Sequence, residues 1–226
     1  SVAWWINDMH MFLESEDIEG LDDRYRTQLI NSLSGFKSAN LIGTCDERKN
    51  TNLAIFSSVF HLGAHPPLLG MIVRPHSVAR HTLENILLTG HYTINHVCET
   101  FYKQAHQTSA RYDEATSEFQ ATGLTPLWHH DFPAPFVEQS PVQLGMSLRE
   151  HQRLAINDTV MIVGEVTMIY IKDDIVRNDG YVDIEQANIV TTSSLDTYHC
   201  TQMLAQLSYA KPGRKLQELT DRDEDK

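Results

Sequence analysis

From Asp22 to Leu33, apolar residues recur at helical spacing: Tyr25, Leu29, Ile30 and Leu33 form one stripe. Asp22 is placed to cap this helix and Gly35 to end it. The pattern then changes. Ala39 to Thr44 reads as a strand, Asp46 to Asn50 as a polar turn, and Asn52 to Val59 as a second strand, so the pair predicts a hairpin with a long loop. Pro66-Pro67 breaks the chain before Leu68 to Val73, a continuous apolar run of the kind buried on both faces. Thr82 is placed to cap a short helix, Leu83 to Leu88, which Gly90 ends, and Tyr92 to Val97 is the next strand.

Glu99 to Phe119 carries a mostly helical pattern. Thr122 to Pro141, with Pro126, Pro133, Pro135 and Pro141, reads as loop. Val142 to His151 and Thr159 to Ile171 read as strands, the second long enough to bend across two sheets or a barrel, with Asn157-Asp158 as the turn before it. Gly180 to Ile184 predicts one more short strand. Leu195 to Tyr209 reads as helix up to the stop at Lys211-Pro212-Gly213.

Strands without regular alternation with helices argue against a doubly wound sheet and for a closed or half-closed antiparallel barrel with peripheral helices. The fold class expected is therefore mainly β, or α+β. No linker divides two cores, so the simplest organisation is one domain over residues 1–226: a core of about residues 22–210, an N-terminal arm of residues 1–21 and an acidic tail of residues 211–226.

Composition narrows the chemistry. Lys plus Arg number 18 and Asp plus Glu 30, a formal charge of −12, which repels nucleic acid. The three cysteines, Cys45, Cys98 and Cys200, are widely separated, which points to a reducing compartment rather than a disulfide framework. No apolar run reaches the roughly 20 residues a membrane helix needs. The start of the chain, with Trp4, Trp5, Asp8 and Glu14, lacks the basic and apolar regions of a signal peptide, so a cytoplasmic protein is expected, with no membrane partner. Twelve histidines raise the question of a metal. However, Gly63 and Pro66 break the frame of His61 and His65, and the adjacent His129 and His130 point apart, so no metal site is expected. Gly-x-Ser-x-Gly, the P-loop and Gly-x-Gly-x-x-Gly are all absent.

Candidate binding groups concentrate between Ala39 and His96. Asn52-Leu-Ala-Ile-Phe-Ser57-Ser58 sets an amide and two hydroxyls along a buried strand, where they can donate to phosphate or carbonyl oxygens or simply face water. Arg74-Pro-His-Ser-Val-Ala-Arg80-His81-Thr82 is a basic cluster, rare in so acidic a chain. It precedes a helix N-terminus, where free N–H groups and partial positive charge favour a phosphate.

Read together, these segments resemble the flavin reductase-like FMN-binding family, which includes reductase components of two-component monooxygenases. Ser38 to Thr44 and Thr51 to Ser58 look like its opening hairpin, and His65 to Val73 like its next strand. His81-Thr82-Leu-Glu-Asn85-Ile86, then Thr89-Gly90 and Tyr92 to Asn95, look like its helix and following strand. Gly164-Glu165-Val166 sits in what resembles its long strand, and Leu195 to Tyr198 and Tyr209 to Gly213 resemble C-terminal elements of longer members. The resemblance implies a Greek-key split barrel, a homodimer and FMN near the dimer interface. It puts Asn52, Leu53, Ala54, Ser57 and Ser58 along the flavin and ribityl chain, and Arg74, Arg80, His81 and Thr82 at the phosphate, with Asn85 beside it. The chain departs from the family at Thr51, at His81 and at Ile156-Asn157-Asp158, and no catalytic side chain is assigned.

The activity this implies is FMN-dependent oxidoreduction: hydride passes from NAD(P)H to bound FMN, and a partner monooxygenase would draw on the reduced flavin. Two other readings stay open. One is a non-catalytic FMN-binding electron carrier or flavin store. The other is a split-barrel relative that binds pyridoxal phosphate or haem.

Overall fold

A computed structural model of the chain describes residues 10–74, 81–113 and 116–219. It opens with two helices, α1 (Ser15–Glu19) and α2 (Asp23–Leu33). Asp22 caps α2 as expected, its carboxylate accepting the N–H groups of Arg24 and Tyr25 at 3.0 and 3.1 Å. The short β1 (Lys37–Ser38) leads into the hairpin β2 (Asn40–Cys45) and β3 (Thr51–Phe56). Asp46 builds the turn between them by accepting the N–H groups of Arg48 and Asn50, both at 2.8 Å. The bond from the Asn50 side chain leads the set of contacts that hold the Asp46 carboxyl below its ordinary range.

The strand expected over residues 52–59 stops early. Ser57 to Val59 form a link, and β4 (Phe60–Ala64) follows, paired with β5 (Pro67–Val73) around the cis His65-Pro66 bond. Next come α3 (His81–Thr89), β6 (His91–His96), α4 (Tyr102–Gln107) and α5 (Glu118–Thr122). The long helix expected over residues 99–119 is thus only the short α4, with α5 beginning at its far end and running on to Thr122. Thr108 and Ser109 turn their hydroxyls back onto the Ala105 and His106 carbonyls, at 2.7 Å each, and end α4. The proline-rich stretch is loop apart from the two-residue strands β7 (Pro126–Leu127) and β8 (Phe136–Val137). The long hairpin β9 (Val142–Arg153) and β10 (Val160–Ile171) follows.

Two later expectations are corrected. Gly180 to Ile184 forms no strand, only an isolated bridge between Val176 and Val182. Leu195 to Tyr209 is not helical: β11 (Thr191–Ser193) pairs with β12 (Thr197–His199) through a turn at Ser194, whose φ is 52°, and extended chain follows. Parts of the N-terminal arm and acidic tail, including Trp4, Trp5 and residues 220–226, lie outside the described residues.

Seven strands form one antiparallel sheet in the order β3-β2-β6-β9-β10-β5-β4. Its two outer strands, β3 and β4, are consecutive in sequence. Four residue steps from Phe56 to Phe60 span at most about 14 Å, so the sheet must curl until its edges meet. Ser58, in the link between them, holds the chain to β5: its Oγ donates to the Ile72 carbonyl at 2.7 Å and accepts the Ile72 N–H at 3.2 Å. Register shifts in the β9–β10 pair, at Val163/Gly164 and Val166/Met168, let the long strands bend with the curl. The result is the split barrel expected from sequence. Ile42, Met71, Ile86, Tyr92, Ile94 and Ile162 pack in one core, while Leu41, Leu53, Val97, Phe101 and Phe119 form another; β2 feeds both because its alternate residues face opposite ways.

Candidate functional site: a buried polar seam under helix α3

The hairpin register puts Thr44 of β2 directly opposite Asn52 of β3. Both are buried, and both reach the same helix. Asn52 Nδ2 donates to Thr82 Oγ1 at 2.8 Å, and Asn85 Nδ2 donates to Thr44 Oγ1 at 3.1 Å. Thr82 and Asn85 lie three residues apart on α3, hence on one face of it, and are buried too. This four-residue polar seam fastens the first turns of α3 to the hairpin and holds its N-terminal N–H groups in a fixed place. Thr82 was expected to cap the helix. The helix instead starts at His81, so Thr82 lies inside it and its hydroxyl accepts the Asn52 amide.

The other sequence-derived positions fall into two sets. Leu53 and Ser58 are committed to the scaffold: the Leu53 side chain is in the core and its N–H donates to Glu118 Oε2 of α5 at 3.0 Å, while Ser58 holds the link after β3 to β5. Ser57, Arg74 and His81 have side chains without a hydrogen-bond partner among the described residues, and Arg74 is exposed at the end of β5. Ala54 lies two residues beyond Asn52 on the same face of β3. Arg80 lies outside the described residues. Asn52, Thr82 and Asn85 are thus brought together, with His81 at the helix start beside them.

Two polar residues of this region were not singled out from sequence, Thr44 and Glu118. The signal for Thr44 was available, because the length of the Asp46–Asn50 turn sets it across from Asn52. Nothing local marks Glu118, which reaches β3 from 65 residues away in the chain. Farther along, desolvation pushes the His96 imidazole, at the end of β6, down to about 4, so it is neutral near pH 7. In the barrel the Tyr92 hydroxyl is buried and has no hydrogen-bond partner among the described residues, and burial pushes its pKa upward. A separate open depression of about 480 Å³ lies beside β12, lined by Glu99, Tyr102, Tyr198 and His199 among others. None of the sequence-derived site residues lines it. Among the described residues, no group of three or more His, Cys, Asp or Glu is arranged to hold a metal ion, and no helix is long and apolar enough to cross a membrane.

Residues 33–187 match the model of the flavin reductase-like domain. A structure from Shewanella frigidimarina NCIMB 400, described as a candidate flavin reductase with a split barrel domain, is 55% identical; the match covers 89% of this chain and 100% of that one, with a TM-score of 0.86. Nitrilotriacetate monooxygenase component B from Bacillus cereus shares the fold at 14% identity and a TM-score of 0.78, over 89% of this chain and 100% of that one. An FMN-binding protein from Thermus thermophilus shares it at 16% identity and a TM-score of 0.60, over 73% and 85%.

Proposed function

The chain belongs to the flavin reductase-like domain family, and from that premise we propose that it is an FMN-dependent oxidoreductase, an NAD(P)H:flavin reductase working as a homodimer in the cytoplasm. The observation that carries this reading is the buried seam of Thr44, Asn52, Thr82 and Asn85 at the start of α3. A helix N-terminus braced in this way suits a phosphate monoester, because its N–H groups are already oriented and lose little freedom on binding. The uncommitted side chains of Ser57, Arg74 and His81 are donors of the kind a ribityl phosphate needs.

A bound flavin supplies the hydride chemistry itself; the protein supplies position and electrostatics. Arg74 and Arg80 offset the phosphate charge in a chain of net charge −12, with His81 and Thr82 at the helix start and Asn85 one turn on. Asn52 and Ala54, on the one face of β3, flank the ring and ribityl chain, while Leu53 serves the scaffold from the opposite face. Ser57 and Ser58 follow that strand, and of the two only Ser57 has a hydroxyl without a partner among the described residues. A partner monooxygenase is the reduced flavin's natural consumer, as the likeness to a monooxygenase component suggests.

The test is an absorbance spectrum of the purified protein after excess FMN and desalting, repeated anaerobically with NADH and with NADPH. Retained flavin bands that bleach with either nucleotide are expected. Retained bands that neither nucleotide bleaches would leave a flavin carrier. Flavin neither retained nor bound in titration would end the FMN reading.

A further inference from the structure

Helix α2 sits on its protomer the wrong way round. Gln28 and Asn31 make its ties to the body: Ser194 Oγ donates to Gln28 Oε1 at 2.5 Å, and Lys37 Nζ donates to the Asn31 carbonyl at 3.1 Å. At about 100° per residue, Ile30 and Leu33 lie on the opposite face, flanked by Tyr25 and by Leu29, which is partly buried. No residue of α2 is buried, and Leu33 is 71% exposed. An 11-residue helix is marginal in water and is normally held by burying its apolar stripe. Ile30 and Leu33 face away from the protomer that carries them.

The C-terminal segment has the complementary problem. After Met203, whose N–H donates to Glu185 Oε2 at 3.0 Å, the chain leaves the body. It forms a small hairpin of its own, with Ser208 N–H to the Gln217 carbonyl and Leu219 N–H to the Gln206 carbonyl, both at 2.9 Å. Leu204 is fully exposed, Tyr209 is 81% exposed, and Leu207 and Leu216 are about half exposed. A lone two-stranded hairpin does not hold itself together in water, least of all with its apolar side chains bare.

Charge matches the two surfaces. The hairpin carries Lys211, Arg214 and Lys215 against Glu218, and among the described residues none of the three cations is in an ion pair. The α1–α2 stretch carries Glu14, Glu16, Asp17, Glu19, Asp22 and Asp23 against Arg24 and Arg26. The hairpin thus has a local excess of two positive charges, ahead of the acidic run Asp221, Asp223, Glu224 and Asp225, and the α1–α2 stretch an excess of four negative ones. A two-fold axis lets each copy supply the other's missing partner, as an isologous interface requires.

We propose that the C-terminal arm, residues 203–219, docks across the α1–α2 face of a second copy of this chain, each arm lying on the other copy's helices. The inference rests on the homodimer reading above and assigns the surfaces that make the dimer.

Sedimentation velocity on the full chain tests it, free of any flavin measurement. Wild type is expected to be dimeric at micromolar concentration. Leu204→Asp is the first variant, because a fully exposed side chain contributes nothing to its own protomer; it is expected to raise the dimer dissociation constant tenfold or more with the thermal midpoint of the monomer unchanged. Lys211→Glu with Arg214→Glu and Lys215→Glu is expected to do the same, and Glu16→Lys with Glu19→Lys added to that triple variant is expected to recover most of the loss. A dimer indifferent to all these changes overturns the arm and leaves the dimer standing. A wild-type protein that is monomeric, its arm folded back on its own helices, overturns both. The absorbance test decides the flavin assignment separately.

Discussion

Thr82 does two things that mutation can separate. Its hydroxyl accepts the Asn52 amide in a buried seam, and its backbone belongs to the first turn of a helix proposed to hold phosphate. Thr82→Ala leaves a buried donor unpaired, which costs about 1–3 kcal/mol; Thr82→Ser keeps the bond. FMN affinity by fluorescence titration is expected to fall with Thr82→Ala, by about 1–3 kcal/mol, and with Arg80→Ala by a similar amount, while Thr82→Ser stays near wild type. Unchanged affinity in both Thr82→Ala and Arg80→Ala would remove this loop from the site. Gly164 is a second residue with a specific duty. A Cβ there would meet the Tyr92 hydroxyl at 2.1 Å and its ring carbon at 2.9 Å. Gly164→Ala is therefore expected to cost about 1–3 kcal/mol of stability in urea unfolding. Tyr92→Phe removes an unpaired buried hydroxyl, so it is expected to be neutral or mildly stabilising and to recover part of the Gly164→Ala loss in the double variant. An unhindered Gly164→Ala would mean that the hydroxyl moves aside.

The same scale carries a pH effect. The His96 imidazole is held down to about 4 by desolvation, against an ordinary value of 6.5. Near pH 7 it is largely neutral folded or unfolded. As the pH falls from about 6.5 toward 4, the unfolded chain takes up a proton that the folded one refuses, so stability is lost over that window. Between pH 7 and pH 5 this amounts to about 1–2 kcal/mol. Urea midpoints at the two pH values should show the loss in wild type and a smaller one in His96→Asn; equal losses would mean that the acid sensitivity lies elsewhere.

At the scale of elements, the link between β3 and β4 is held to β5 by one hydroxyl. Ser58 stands in for a strand neighbour by giving to and taking from the same residue, Ile72. Ser58→Ala is expected to cost about 1–2 kcal/mol, whereas Ser57→Ala should change stability by less than about 0.5 kcal/mol and act, if anywhere, on FMN affinity. Equal thermal midpoints for the two variants would show that the barrel closes without the hydroxyl. The elements also explain where sequence reading stopped. The β2–β3 hairpin was legible because its turn chemistry and alternation are local. The early end of α4 was not, because hydroxyls that fold back on the backbone end a helix without disturbing its apolar spacing. The β11–β12 hairpin was hidden because it turns at Ser194 in a left-handed conformation, without the glycine that usually marks such a turn.

At the scale of the whole molecule, apolar residues along the chain determined the barrel. Period-two stretches of strand length, without helices alternating between them, leave an antiparallel sheet as the way to bury so much backbone. The charge of −12 determined that a phosphate ligand needs a local basic site, and Arg74 to Thr82 was the visible candidate. Tertiary structure alone decided the rest. It brought the outer strands β3 and β4 together, paired Asn52 with Thr82 across 30 residues and Thr44 with Asn85 across 41, and spent Leu53 and Ser58 on the scaffold. It also left Ile30 and Leu33 of α2 and the apolar side chains of the C-terminal arm exposed on their own protomer. The physical reason is common to all of these. Periodicity reports that a face must be buried, but what lies against it depends on contacts between residues distant in the chain, which no local pattern encodes.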